Sequence, residues 1–180
     1  MTKCAMAAVA ITVLGLVGCG KAVEKVAEKA AESQMEKSGG QAKVDLSSGG
    51  IKMTTTDASG KTTQFEMGTA KVSEADIGLS FYPGTQPREG EASRMSSPES
   101  TTYTVMLHSD DAPDKVAGFY REKLKAQAEG RQYMESSGGD SHTLMLSDEK
   151  TKHVTQVMIA KTEKQGSDIQ IVANRGAAKQ

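Results

Sequence analysis

The chain has 180 residues, with 22 Lys plus Arg against 23 Asp plus Glu and a formal net charge of −1. That near balance excludes the basic surface that nucleic-acid binding needs, so no nucleic-acid partner is expected. Hydrophobic residues make up 37% and aromatics 4%, with no Trp, which bounds the core to a small one of Met, Val, Ile and Leu and suits a single domain.

Residues 1–18 read as an export signal. Lys3 supplies the positive start, and Cys4 to Val17 is uncharged and rich in Ala and Val. Such a run is marginal for a membrane-spanning helix, which needs about 20 apolar residues, and suits the core of a signal peptide. Leu16-Val17-Gly18-Cys19 then resembles the lipobox of bacterial lipoproteins. The resemblance implies diacylation of the Cys19 sulfur, cleavage between Gly18 and Cys19, and acylation of the new amino group. The thiol is the nucleophile that meets the lipid donor, and the small Gly18 lets a peptidase reach the bond. A buried methylene contributes about 0.8 kcal/mol, so one acyl chain binds reversibly and three hold permanently. Ordinary secretory cleavage, leaving Cys19 as a stray thiol, and an uncleaved membrane helix are the competing readings. Gly20 stands where enteric lipoproteins retained in the inner membrane carry Asp. That analogy favours the outer membrane, on the periplasmic side. With Cys4 discarded and Cys19 blocked, the mature chain holds no thiol for a disulfide or a thiolate metal site.

Residues 19–43 follow as the lipidated Cys and a helical tether. Lys21 to Lys37 lacks Gly and Pro and is rich in Ala, Glu and Lys, with a thin apolar stripe, as in semi-rigid spacers. A helix that packs on a partner or membrane is the other reading. Residues 44–76 predict a small hairpin: Ile51, Met53 and Thr55 alternate, Asp57-Ala58-Ser59-Gly60 turns, and Thr63, Phe65 and Met67 return. A lone hairpin is marginal in water, so it must dock or add a strand.

Residues 77–175 predict the main domain. Pro83-Gly84 turns into a polar loop over 84–100, and Thr102 to His108 alternates as a strand. Asp111 is the expected helix N-cap, with Pro113 in the first turn. Val116, Phe119, Tyr120 and Leu124 recur at helical spacing as the candidate core, and Gly130 follows the helix end. Four short strands come next, at 131–136, 142–147, 153–161 and 168–174, before a frayed tail, 176–180. The expected fold class is α+β: an antiparallel sheet of about five strands, β-α-β-β-β-β, with one packing helix, preceded by the tether and hairpin.

The order Tyr82-Pro83-Gly84, strand, acidic helix start, then Val116-Ala117-Gly118-Phe119-Tyr120-Arg121-Glu122-Lys123-Leu124 resembles uncharacterised bacterial lipoproteins and exported proteins. Their Tyr-Pro-Gly-Ala-like segment precedes a helix with a Phe-Tyr-x-x-x-Leu core, and Thr85 stands here where Ala is usual. The resemblance covers most of the mature chain and implies a fold and a location, with no activity.

Catalytic motifs are scarce. His108, His142 and His153 are the only histidines; His142 and His153 could meet across a hairpin near Asp140 or Asp148, but solvated strand-end histidines are the expectation, and no metal site or cofactor is called for. Gly139-Asp140-Ser141 opens a block in some esterases, yet here it falls in a hairpin turn, so no catalytic residue is assigned. Met134, Met145 and Met158 read as core filler. The favoured function is a non-catalytic, lipid-anchored periplasmic module that touches the membrane through Cys19 and contacts an envelope protein or cell-wall polymer. A periplasmic binder of a small hydrophobic ligand held between helix and sheet is the alternative, and a hydrolase comes last. Cys19→Ala is expected to move the protein from the membrane to the soluble fraction with its fold intact, as fractionation and circular dichroism will show.

Overall fold

The computed structural model describes residues 20–36, 40–46, 49–163 and 165–176. Gly18, Cys19 and the rest of the signal segment, and residues 177–180 of the expected tail, lie outside the described residues. In chain order the elements are α1 (Gly20–Glu36), β1 (Gln41–Asp45), β2 (Ile51–Thr56), β3 (Thr62–Met67), α2 (Glu74–Ile77), β4 (Ala92–Ser96), β5 (Ser100–Ser109), α3 (Pro113–Lys125), β6 (Gln132–Gly138), β7 (Ser141–Asp148), β8 (His153–Lys161) and β9 (Ser167–Gly176).

The nine strands form one antiparallel sheet in the order β1-β2-β3-β4-β5-β9-β8-β7-β6. This overturns the expected five-strand sheet with one packing helix. The hairpin of β2 and β3 does not stand apart: β4 joins it to the rest, pairing Phe65 with Met95 on one side and Ala92 with Val105 on the other. β4 lies inside the stretch read as a polar loop. Its Ala-Ser-Arg-Met-Ser sequence has no hydrophobic pattern, and ladders on both sides satisfy its backbone groups instead. Two meanders result, β1 to β5 and β6 to β9, joined by α3. Their seam is the pairing of β5 with β9, from Ser100 opposite Gly176 to Ser109 opposite Ser167.

One side of the sheet is closed. α3 packs on β7 and β8, and α2 on β9. Val116, Ala117, Tyr120 and Leu124 from α3 meet Val105, Leu107, Leu144, Val157, Ile159, Ile169 and Ile171. Val72, Ile77, Leu79, Phe81 and Tyr82, from the segment around α2, complete the same core. α2 has four residues, too few to show a period, but Ser73 caps it and Asp76 returns a bond to the Ser73 amide. Gly78 ends it at φ +67°, with the Arg175 guanidinium against its Cα side. Of the expected core residues, Val116, Tyr120 and Leu124 are buried, while Phe119 is half-buried, its ring edge-on to Tyr82 at 5.3 Å and to Tyr120 at 5.1 Å.

The helix start differs from expectation by one residue. Ala112 is the N-cap without a side-chain bond, and Pro113 opens α3. Asp111 instead accepts from the Tyr82 hydroxyl at 2.6 Å and from Lys115 at 2.8 Å. Thr85, the departure from the usual Ala, donates its hydroxyl to the Tyr82 carbonyl at 2.7 Å and so fastens the Tyr-Pro-Gly turn.

α1 is not a free spacer. Glu32 accepts the Val44 amide at 2.9 Å and Glu28 the Leu46 amide at 2.8 Å. Four residues apart on one helix face, these carboxylates cover alternate outward amides of the edge strand β1. No helix of the described residues is long and apolar enough to cross a membrane.

The Tyr120 hydroxyl is buried, and the Tyr82 main chain approaches it without completing a hydrogen bond. Chemical denaturation should therefore separate two variants. Tyr120→Ala is expected to cost about 3–5 kcal/mol through the cavity it leaves. Tyr120→Phe should leave stability unchanged or raise it, because an unpaired buried donor is removed.

Candidate functional site

Strand alternation gives the sheet a second side, opposite α3. In the register, Val44, Met53, Phe65 and Met95 stand in one row across β1 to β4, and Met67, Ser93, Thr104, Val172, Gln156, Met145 and Met134 in the next. Met106 and Met158 flank Gln170 in a third. All seven strand methionines thus stand on the side facing away from the core. This corrects the reading of Met134, Met145 and Met158 as core filler: none of them belongs to the core, and Met134 is 45% exposed, Met95 47% and Met67 40%. Sequence alternation places a methionine on a strand face but cannot say which of the two faces a helix covers.

The apolar side switches across the sheet. In β5 and β7 to β9 the Val, Leu and Ile residues point at α3, except Val154 and Val172. In β1 to β4 all apolar residues but Ala92 point away from it, while Lys52, Glu66 and Arg94 hold the other side with ion pairs of 3.8 and 2.6 Å to Glu66. Phe65, Met53 and Ile51 are consequently half-buried with no helix of the core above them. Among the described strand residues that point away from α3, the ionisable ones are His108 and Asp168 alone.

Those two belong to a clasp at the rim of the sheet. The His108 ring nitrogens meet Glu91 Oε1 at 2.6 Å and Asp168 Oδ1 at 2.7 Å. Two carboxylate acceptors need both nitrogens as donors, which is the charged imidazolium. The Glu91 hydrogen bond, ahead of the opposing effect of burial and the Asp168 bond, raises the His108 pKa from its ordinary 6.5. Burial resists the Glu91 charge most strongly, yet the His108 hydrogen bond, the Arg88 amide and the positive charges of both residues together lower its pKa. With both nitrogens engaged, His108 offers no lone pair to a metal or substrate.

Beside the clasp three loops enclose an open cleft of about 650 Å³, walled by Pro83-Gly84-Thr85, Arg88, Ser109 to Asp111, and the turn carrying Thr162, Glu163 and Gln165. Gly166 is required there, since a Cβ would run into the Ser109 carbonyl and φ is +97°. The space between α3 and the sheet, proposed from sequence for a hydrophobic ligand, is filled by the core.

His142 and His153 do not meet: His142 pairs with Ile159 and His153 with Asp148, at opposite ends of the β7–β8 ladder. His142 is buried, contrary to the expectation of solvated histidines. Its Nδ1 lies 2.9 Å from Ser137 Oγ and its Nε2 3.0 Å from Asp114 Oδ1. Ser141 takes no part, its hydroxyl donating to the Gly138 carbonyl at 2.8 Å. Serine, histidine and acid thus converge, through a strand pairing that the sequence order hides. Their polarity is the reverse of an acyl-transfer triad, where serine sits on Nε2 and the acid on Nδ1. The Asp114 side chain is 93% exposed, so its charge is solvated, and the trio fastens the β6–β7 hairpin to the start of α3. Among the described residues no group of three His, Cys, Asp or Glu is arranged to hold a metal ion.

Compared with known protein families, curated proteins and solved structures, the chain matches none.

The clasp makes stability depend on pH with a definite sign. A folded pKa raised above the unfolded one adds stability that is complete below the unfolded value and is lost as pH rises through the folded value. Urea midpoints should fall as pH rises above the ordinary histidine value of 6.5, and His108→Asn should flatten that fall.

Proposed function

We propose that this chain is a lipid-anchored, non-catalytic module of a bacterial envelope. It is held on the periplasmic side, preferentially at the outer membrane, and docks another envelope component on its uncovered sheet face. Support for the anchor comes from the sequence run that ends in Leu16-Val17-Gly18-Cys19. Support for docking comes from one observation: a sheet face bearing methionines, Phe65, Ile51 and Val172 with almost no ionisable side chain, in a chain whose residues are 25% charged.

Met67, Met95 and Met134 stand exposed on this face among Thr, Ser and Gln, and exposed apolar side chains gathered on one side of a water-facing domain favour a contact site. Methionine suits such a surface because its unbranched, polarisable side chain adapts to the opposing shape. A protein surface fits this face better than an anionic cell-wall polymer, whose carboxylates would meet no Lys or Arg among its described strand residues. The loop cleft supports the second reading, a binder of a small polar ligand. Its volume lies within the usual range of about 300–1,000 Å³ for ligand sites, and Arg88 with Asp110 and Asp111 would orient a polar guest.

Photo-crosslinking in the native envelope separates the two. A crosslinking residue in place of Met95 is expected to give discrete protein adducts, while one in place of Glu163 in the cleft gives none. Absence of adducts at Met95 would overturn docking through this face.

A further inference from the structure

We infer that the occupant of the uncovered face is the same face of a second copy of this chain, packed sheet on sheet. The inference rests on the docking reading above and names its partner.

Charge is the first argument. A partner bearing acidic or basic groups would have to bury them against Met, Thr, Ser, Val and Gln, and a buried charge left unpaired is strongly destabilising. A second copy brings a surface as free of charge as the first. The His108–Asp168 pair lies at the strand ends, already closed on itself, so face-to-face packing leaves no new unpaired ion.

Size is the second. Val44 on β1 is already buried, so the free face runs over β2 to β9; eight strands about 4.8 Å apart span some 34 Å, and six residues of strand give about 20 Å in the other direction. The product, about 700 Å² for each copy, lies within what a specific interface buries on each side. Shape agrees as well: two sheets of the same chain carry the same right-handed twist, and aligned packing of equally twisted sheets sets their strands within about 30° at a separation near 10 Å.

Edges are the third. Glu28 and Glu32 of α1 cover the amides of β1, so growth of the sheet sideways at that edge is blocked. β6 forms the other edge, and side-by-side growth is closed on the β1 side. A lipid surface suits the face less, because interfacial faces carry Lys, Arg and Trp around their apolar residues, and the chain has no Trp.

β5 is the middle strand of the nine, so Thr104 and Met106 lie close to the expected two-fold axis. The test uses the full chain in its native envelope. Thr104→Cys, treated with a short bis-maleimide, is expected to give a product of twice the chain mass. Neither the parent chain nor Lys52→Cys, on the charged side, should do so. Adding Met106→Lys should lower the product at least tenfold while far-UV circular dichroism stays that of the parent. A folded Thr104→Cys chain that yields no such product overturns the inference. Maleimide labelling of the introduced thiol then tells what has failed. Protection of that thiol without a doubled product means a different protein sits on the face, and the docking reading stands without the second copy. Protection that purified chain recovers only on phosphatidylethanolamine–phosphatidylglycerol vesicles assigns the face to lipid and overturns both. Full labelling in the envelope also overturns both.

Discussion

The pairing of β5 with β9 is the constraint on which the molecule depends. The two strands lie side by side for ten residues although α3 and three further strands come between them in sequence. That ladder welds two meanders into one sheet and brings Val105, Leu107, Ile169 and Ile171 together under the helices. It also places His108 beside Asp168, which is how the rim clasp arises. Without the seam, β1 to β5 would be a meander whose aliphatic side nothing covers, and α3 would close only β7 and β8. Local pairing alone builds each half; the long-range ladder makes the fold.

From that seam follows a two-sided molecule with unequal sides. α3 and the segment around α2 exhaust the helical cover on one side, over β5 and β7 to β9. In β1 to β4 the side chains are inverted, so their apolar residues join the uncovered side and their Lys, Glu and Arg join the covered one. The inversion costs no core, since the helices do not extend that far. It leaves a face of methionine, other apolar residues and uncharged polar side chains whose ionisable groups, among the described strand residues, are His108 and Asp168 at the rim.

Two of the three histidines serve as fasteners. His108 ties the loop before β4 to β5 and β9 through two carboxylates, and His142 ties the outer hairpin to the first turn of α3. Each uses both ring nitrogens. The convergence of Ser137, His142 and Asp114 shows how a hydrolase-like set of residue types arises from fastening alone, with serine and acid on the opposite nitrogens from those that proton transfer requires.

Periodicity by itself determined the elements with strong local patterns. Val116, Tyr120 and Leu124 announce α3 because helical spacing needs no partner to be visible, and the alternations of 51–55, 63–67 and 102–108 mark strands for the same reason. Composition and the run ending in Cys19 likewise set the expectation of an anchored envelope protein. Only tertiary structure decided the rest. β4 exists because two neighbours bond its backbone, α2 because it caps a core it helps to fill, and α1 docks because its glutamates find the amides of β1. Which face of a strand is buried is equally silent in sequence, since alternation is symmetric until a helix settles on one side. The methionines therefore declared their strands in advance and their side of the sheet only once the chain had folded.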